Sequence, residues 1–133
     1  MKKDIVFPEM TGVMIAIARK SVDDSYHWHA YIINTNDYNL NNLLIVSKGY
    51  GAPKGPKQDT SVLRHSIELL KARSYAIIEP LDPAVFKLFN EFWVSFYHQD
   101  QIYDKKFIFT PDSIREDHLM SIEALELEGI LHI

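Results

Sequence analysis

Residues 46–61, VSKGYGAPKGPKQDTS, have a composition that could bind phosphate, with three glycines and three lysines. A Walker-type loop needs a run of free backbone N–H groups and then Gly-Lys-Ser/Thr at the start of a helix. Here Pro53 and Pro56 each remove a donor, and Lys57 is not followed by Ser or Thr. The pattern therefore favours a loop between strands over a nucleotide site. The lysines of this loop, which could still bind a small anion, a sugar or nucleic acid, are Lys48, Lys54 and Lys57.

Two histidines could begin a metal site. His27 and His29 lie two residues apart in a predicted strand, so both imidazoles face the same side. A third ligand would have to come from another strand, and His65 and His98 are the candidates. Most such pairs are solvated residues on a polar face. A metal-dependent enzyme built on His27 and His29 is the weaker alternative among the functional hypotheses.

Other catalytic chemistry finds little support in the residues. The chain has no cysteine, which excludes thiolate nucleophiles, zinc ribbons and iron–sulfur clusters. No serine lies in the glycine context of a nucleophile elbow. The adjacent carboxylates Asp23-Asp24 and Glu116-Asp117 fall in polar stretches. We therefore expect no cofactor, and the residues argue against an enzyme.

Aromatic residues crowd the segment 92–109. Phe92 and Phe96 alternate with Trp93 and Tyr97, and the chain then runs back through further aromatic residues. This pattern is typical of a β-hairpin with one face in the core. The opposite face would expose aromatic side chains, which can form a contact surface for a partner. The candidate contact residues are Trp93, Tyr97 and Tyr103.

The elements that must position these residues are short apolar segments separated by polar turns. At Tyr26–Asn34, clean alternation puts Trp28, Ala30 and Ile32 on one face of a strand. Long helices that could cross over between parallel strands are missing from the pattern. We predict an all-β, antiparallel β-sandwich of the immunoglobulin-like type with little helix. The segments with strand character are 13–19, 26–34, 43–48, 75–79, 92–97, 103–109 and 129–133.

Two segments are ambiguous. Residues 60–73 carry Leu63, Ile67 and Leu70 at helical spacing, but the same stretch also alternates as a strand does. Strand is favoured because the surrounding pattern is all-β. Residues 112–127 are acidic and weakly helical.

The length of 133 residues predicts one domain, 1–133, and 47% hydrophobic residues are enough to build its core. The apolar patch near the N-terminus is interrupted by Asp4, Pro8 and Glu9, which argues against a signal peptide. No stretch approaches the length of a membrane span. We expect a cytoplasmic protein without a membrane partner. A formal net charge of −4 argues against nucleic acid as a partner.

Five strings, VSKGYG, SVLRH, NEFWVSFY, IYDKKFIF and GILHI, carry a resemblance that spans the whole chain. On these strings the chain resembles a small family of short uncharacterised bacterial proteins, some of which have been labelled phenylalanyl-tRNA synthetase alpha subunit. The resemblance implies family membership and no particular activity. The sequence does not support the synthetase label, because a class II aminoacylation domain is far longer and needs ATP-binding arginines. The four arginines, which form no such motif, are Arg19, Arg64, Arg73 and Arg115.

The leading functional hypothesis is a non-enzymatic interaction module. Its partner is another protein or a second copy of the chain, which would make a homodimer through an edge strand or the aromatic hairpin. The alternative is a binder of a small anion, a sugar or nucleic acid through the loop 48–57.

Overall fold

Two antiparallel sheets pack face to face in the computed structural model, which describes residues 8–51 and 60–133. Helical structure in the described part is limited to the 3₁₀ turns Pro83–Lys87 and Glu116–His118. Within those residues, no helix has the length and apolar character needed to cross a membrane. The strands are β1 (Val13–Val22), β2 (Ser25–Asn34), β3 (Leu40–Tyr50), β4 (Leu63–Leu70), β5 (Ser74–Leu81), β6 (Phe89–His98), β7 (Gln101–Phe109), β8 (Met120–Ile122) and β9 (Leu127–His132).

The strand order is β5-β2-β1-β9-β8 in the five-stranded sheet and β4-β3-β6-β7 in the four-stranded sheet. Every neighbouring pair is antiparallel. The chain passes from one sheet to the other between β2 and β3, between β4 and β5, between β5 and β6, and between β7 and β8. The prediction of an all-β antiparallel sandwich with little helix is confirmed.

Two tight hairpin turns form without glycine. Asp23 and Asp24 join β1 to β2 with φ of 48° and 65°, and Gln99 and Asp100 join β6 to β7 with φ of 49° and 61°. Two successive residues at positive φ match the twist of the flanking strands, and Asp tolerates this region better than most residues. The turn at Gln99 and Asp100 sets the register of the hairpin 92–109.

The main core lies between the sheets and follows the period of two along each strand. Trp28, Ala30 and Ile32 point inward from β2, as the alternation predicts. Phe92 and Phe107 meet them from the opposite sheet and are 1% and 0% exposed. Burying a side chain of this size stabilises the fold by about 1.5–3 kcal/mol.

A second, smaller core covers the outer face of the five-stranded sheet. Ile122 from β8 and Leu125 from the β8–β9 turn pack on Ala16, Ala18 and Tyr31. The side chains of Ala16 and Ala18 are small, so the β8–β9 segment can approach the face of β1 closely. A Cβ atom on Gly129 of β9 would lie 2.5 Å from the Ile17 carbonyl oxygen.

A buried asparagine joins two turns at one end of the sandwich. Asn34 is 0% exposed, and its Nδ2 donates to the carbonyl oxygens of Tyr38 (3.0 Å), Lys71 (3.1 Å) and Leu70 (3.4 Å). Its Oδ1 accepts from the backbone N–H of Asn36 at 3.0 Å. The side chain therefore links the β2–β3 turn to the β4–β5 turn, and with it the two sheets.

The two ambiguous segments have different outcomes. Within the segment 60–73, Leu63–Leu70 forms strand β4, so the preference for strand is confirmed. The weakly helical interpretation of residues 112–127 is wrong beyond the 3₁₀ turn at Glu116–His118, since β8 and a turn follow it. The reason is that Ile114 packs into the main core whereas Ile122 and Leu125 pack into the second core, so no single helix face serves all three.

Candidate functional site

The outer face of the four-stranded sheet carries exposed aromatic residues. On β6, Phe92, Val94 and Phe96 are buried between the sheets, whereas Trp93 and Tyr97 are 41% and 59% exposed on the opposite side. The alternation of the sequence therefore places the two aromatic residues on one surface. β6 is a central strand, so this surface lies in the middle of the sheet.

Apolar residues from both neighbouring strands extend this surface. Leu44 on β3 lies opposite Ser95, diagonal to both Trp93 and Tyr97, and is 42% exposed. Ile102 on β7 lies opposite Tyr97 and is 43% exposed. We call this surface the open face, defined by Leu44, Val46, Trp93, Tyr97 and Ile102.

Charged residues of both signs surround the open face. Lys106 pairs across the strands with Trp93, and its Nζ lies 5.7 Å from a ring centroid of the indole, within cation–π range. Lys48 Nζ lies 3.7 Å from Glu91 Oε2. Cross-strand register and alternation along the strands place three cations and three carboxylates on this side of the sheet: Lys48, Arg64, Lys106, Glu68, Glu91 and Asp104.

Tyr103 does not share the open face. It pairs with Phe96 across β6 and β7, and the two rings stack with their centroids 5.2 Å apart. Tyr103 is half-buried against the main core. Of the three predicted contact residues, the structure brings together Trp93 and Tyr97 and turns Tyr103 inward.

A cavity of about 390 Å³ opens between the two sheets at the end of the sandwich where β3 and β5 finish and β6 begins. Gly49 and Thr60 are among its lining residues and are joined by hydrogen bonds. Gly49 N–H donates to Thr60 Oγ1 at 2.7 Å, and Thr60 N–H donates to the Gly49 carbonyl oxygen at 2.9 Å. Its polar lining includes Ser47, Glu79, Asp82 and Asn90, and its apolar lining includes Leu63, Leu81, Val85 and Phe92.

Glu79 is a buried carboxylate at this cavity. It is 9% exposed, and its Oε1 accepts hydrogen bonds from Ser47 Oγ at 2.5 Å and from His65 Nε2 at 2.9 Å. A carboxylate can only accept, so the network assigns the Nε2 proton to His65. Glu79 belongs to the five-stranded sheet and its two partners to the four-stranded sheet, so the cluster also ties the sheets together.

The order of these bonds is Ser–Glu–His and differs from a hydrolase triad. In a triad the histidine lies between serine and carboxylate and takes the serine proton. Here Ser47 and His65 both donate to the same oxygen of Glu79. This geometry orients a carboxylate and does not activate the serine as a nucleophile.

A β-bulge in β5 explains why the sequence pattern did not predict that Glu79 is buried at the cavity. Plain alternation would put Glu79 on the outer face with Tyr75 and Ile77. The pairing with β2 shifts at this point, since Ala30 lies opposite Glu79 and Tyr31 opposite Ile77, with Ile78 as the extra residue. Ile78 and Glu79 are therefore both buried, and the bulge turns the carboxylate toward the inter-sheet cavity.

The predicted histidine ligands lie in separate places. His27 and His29 share the outer face of the five-stranded sheet, as the alternation predicts. His65 is bonded to Glu79, and His98 stacks on Tyr38 with centroids 3.8 Å apart. Within residues 8–51 and 60–133, no group of three or more potential ligands is arranged to hold a metal ion.

The lysines of the glycine loop are only partly described. Lys48 is exposed on β3, where it lies beside Glu91 and over the ring of Tyr50. Lys54 and Lys57 lie outside the described residues.

No protein-family model, curated protein or solved structure matches the chain.

Proposed function

We propose that the chain is a non-enzymatic interaction module that binds a second copy of itself through the open face. The observation that carries this proposal is the contrast between the two outer sheet faces. On the five-stranded sheet, Ile122 and Leu125 from the chain's own β8 and β8–β9 turn cover the apolar residues at the centre of the outer face, while Tyr75 and Ile77 on the edge strand β5 stay exposed. The four-stranded sheet leaves Trp93 and Tyr97 exposed at its centre.

The composition of the open face suits a protein partner. Apolar and aromatic side chains lie at its centre, and charged residues lie around them, as in protein interfaces. Trp and Tyr are the residues that most often act as binding anchors. The open face therefore has the residue types that contribute most of the binding free energy in protein interfaces.

The charge balance favours a second copy as that partner. Three cations and three carboxylates lie on this side of the sheet, although the whole chain carries a net charge of −4. Two such faces can meet without net repulsion and can pair opposite charges across a two-fold axis.

The size of the sheet indicates a weak dimer. Four strands of 8 to 11 residues form a face about 19 Å wide and about 30 Å long, or roughly 600 Å² per copy. Stable interfaces bury about 800 Å² per partner. We therefore expect a dissociation constant in the micromolar range or weaker.

The immunoglobulin-like type is also part of this proposal. The neighbours β5-β2-β1 and β3-β6-β7 follow the order E-B-A and C-F-G of that fold, with β4 beside β3 and with β9 and β8 added after β1. Many domains of this architecture serve as interaction modules, but the fold alone does not assign a function. The bacterial family suggested by the resemblance and the cytoplasmic location stay predictions.

Sedimentation over a range of concentrations tests the dimer. We expect Trp93→Ala to weaken self-association about 30-fold, which corresponds to about 2 kcal/mol for a central aromatic anchor. Ser95→Arg, which places a charge at the centre of the open face, should abolish the dimer. Tyr75→Ala is the matched control, because Tyr75 is an exposed aromatic residue on the other sheet.

Thermal unfolding of each variant shows whether the replaced residue acts in the dimer interface or stabilises the core of the monomer. A wild-type chain that stays monomeric at several hundred micromolar would contradict the proposal. So would a Trp93→Ala monomer that no longer folds, because the tryptophan would then belong to the core.

A further inference from the structure

The cavity between the sheets has the features of a binding site that is separate from the open face. It encloses about 390 Å³, which is at the lower end of the range of about 300–1,000 Å³ for small-molecule pockets. Leu63, Leu81, Val85 and Phe92 form its apolar part. Such a wall can hold a short hydrocarbon chain.

Glu79 places a buried carboxylate at the cavity. The carboxylate is nine-tenths buried, and Ser47 and His65 hold it through the same oxygen, Oε1. Among the described residues, no donor lies within hydrogen-bonding distance of the second oxygen, Oε2. Burying a carboxylate is costly, and a charge-assisted bond to a cation would offset that cost.

Two further polar side chains at the cavity, those of Asp82 and Asn90, also offer acceptors. Asp82 is a second carboxylate, and among the residues that the structure describes its side chain is engaged only through Oδ1, by the Ala84 N–H at 2.9 Å. Asn90 donates through Nδ2 to the carbonyl oxygens of Val85 and Leu88, so its Oδ1 is the group left to bind a ligand. Lys48 also lines the cavity, but its ammonium group lies beside Glu91 on the outer face.

We propose that this cavity binds a small organic cation. A primary ammonium group would pair with Glu79 Oε2 and would be drawn in by Asp82, and a short aliphatic chain would lie along Leu81 and Phe92. The bulge at Ile78 supports this assignment, because it is the local irregularity that turns Glu79 inward, and bulges are frequent next to functional sites.

Titration with three probes of one carbon skeleton tests the charge preference. The probes are putrescine, the uncharged diol of the same chain length, and succinate, each followed by amide NMR shifts of the full chain. We expect putrescine to saturate shifts at Ser47, Gly49, Glu79 and Asn90, with a dissociation constant of about 1 mM or tighter. The diol and succinate should bind at least about tenfold more weakly than putrescine. Added salt should weaken the binding of putrescine, because it screens the attraction between charges.

Glu79→Gln is the decisive variant. The glutamine amide oxygen can still accept from Ser47 and His65, so the fold should survive, while the charge is lost. We expect putrescine to bind at least about tenfold more weakly to it. Asp104→Asn, the same change of charge on the outer side of the other sheet, is the matched control and should leave binding unchanged.

Three results would overturn the proposal. They are equal shifts from all three probes, a preference for succinate, and a folded Glu79→Gln variant that binds putrescine as the wild type does. The same titration on Trp93→Ala keeps this test independent of self-association, because the cavity and the open face share no defining residue.

Discussion

Asn34 offers a sharp test of how the ends of the two sheets are held together. Replacing Asn34 by alanine removes an amide that donates to three carbonyl oxygens and accepts from one backbone N–H. The bond to Leu70 is long at 3.4 Å, so three bonds of about 3.0 Å carry most of the effect. At about 1 kcal/mol for each bond, the expected loss is about 3 kcal/mol in the free energy of unfolding.

That loss is a large share of the total stability of a small domain, which is about 5–15 kcal/mol. Asn34→Asp should be at least as destabilising at neutral pH, because a carboxylate would face carbonyl oxygens where the amide donated. Asn41→Ala is the control, since Asn41 is exposed on β3, and we expect it to stay within about 0.5 kcal/mol of the wild type.

Denaturant titration followed by tryptophan fluorescence measures all three variants. An unchanged slope with a lower midpoint would show that the native state lost stability. A loss below about 1 kcal/mol for Asn34→Ala would refute the reasoning, because the buried amide would then not be the link between the two turns.

Two further predictions concern β9 and the tyrosines. Gly129→Ala should destabilise the fold by about 1–3 kcal/mol or more, because the added Cβ would lie 2.5 Å from the Ile17 carbonyl oxygen; calorimetry should show a lower melting temperature, and an unchanged one would mean that β9 can shift away. Burial raises the pKa of Tyr31, Tyr38 and Tyr50 above the usual 10.0, so alkaline absorbance titration should show tyrosines that ionise late. The unfolded chain releases these protons first, so the free energy of unfolding should fall as the pH rises above about 10, and a stability that does not fall there would contradict the assignment.

The sequence was sufficient for most of the strands, with the exception of β8, and for the sides on which most residues lie. Successive side chains of a strand point to opposite faces, so the alternation around Trp28 and Trp93 could be read directly. The prediction that Trp93 and Tyr97 lie on the side opposite Phe92 is confirmed. Tyr103 was grouped with them by residue type, whereas its pairing with Phe96 turns it to the core.

Only the tertiary structure decided which surfaces are covered and where the buried charge points. The β8–β9 segment covers the centre of one outer face and leaves the centre of the other open, and this depends on contacts between residues far apart in the chain. Glu79 faces the cavity because one extra residue, Ile78, interrupts the pairing of β5 with β2. A bulge is a property of two paired strands, so the period of a single strand carries no sign of it.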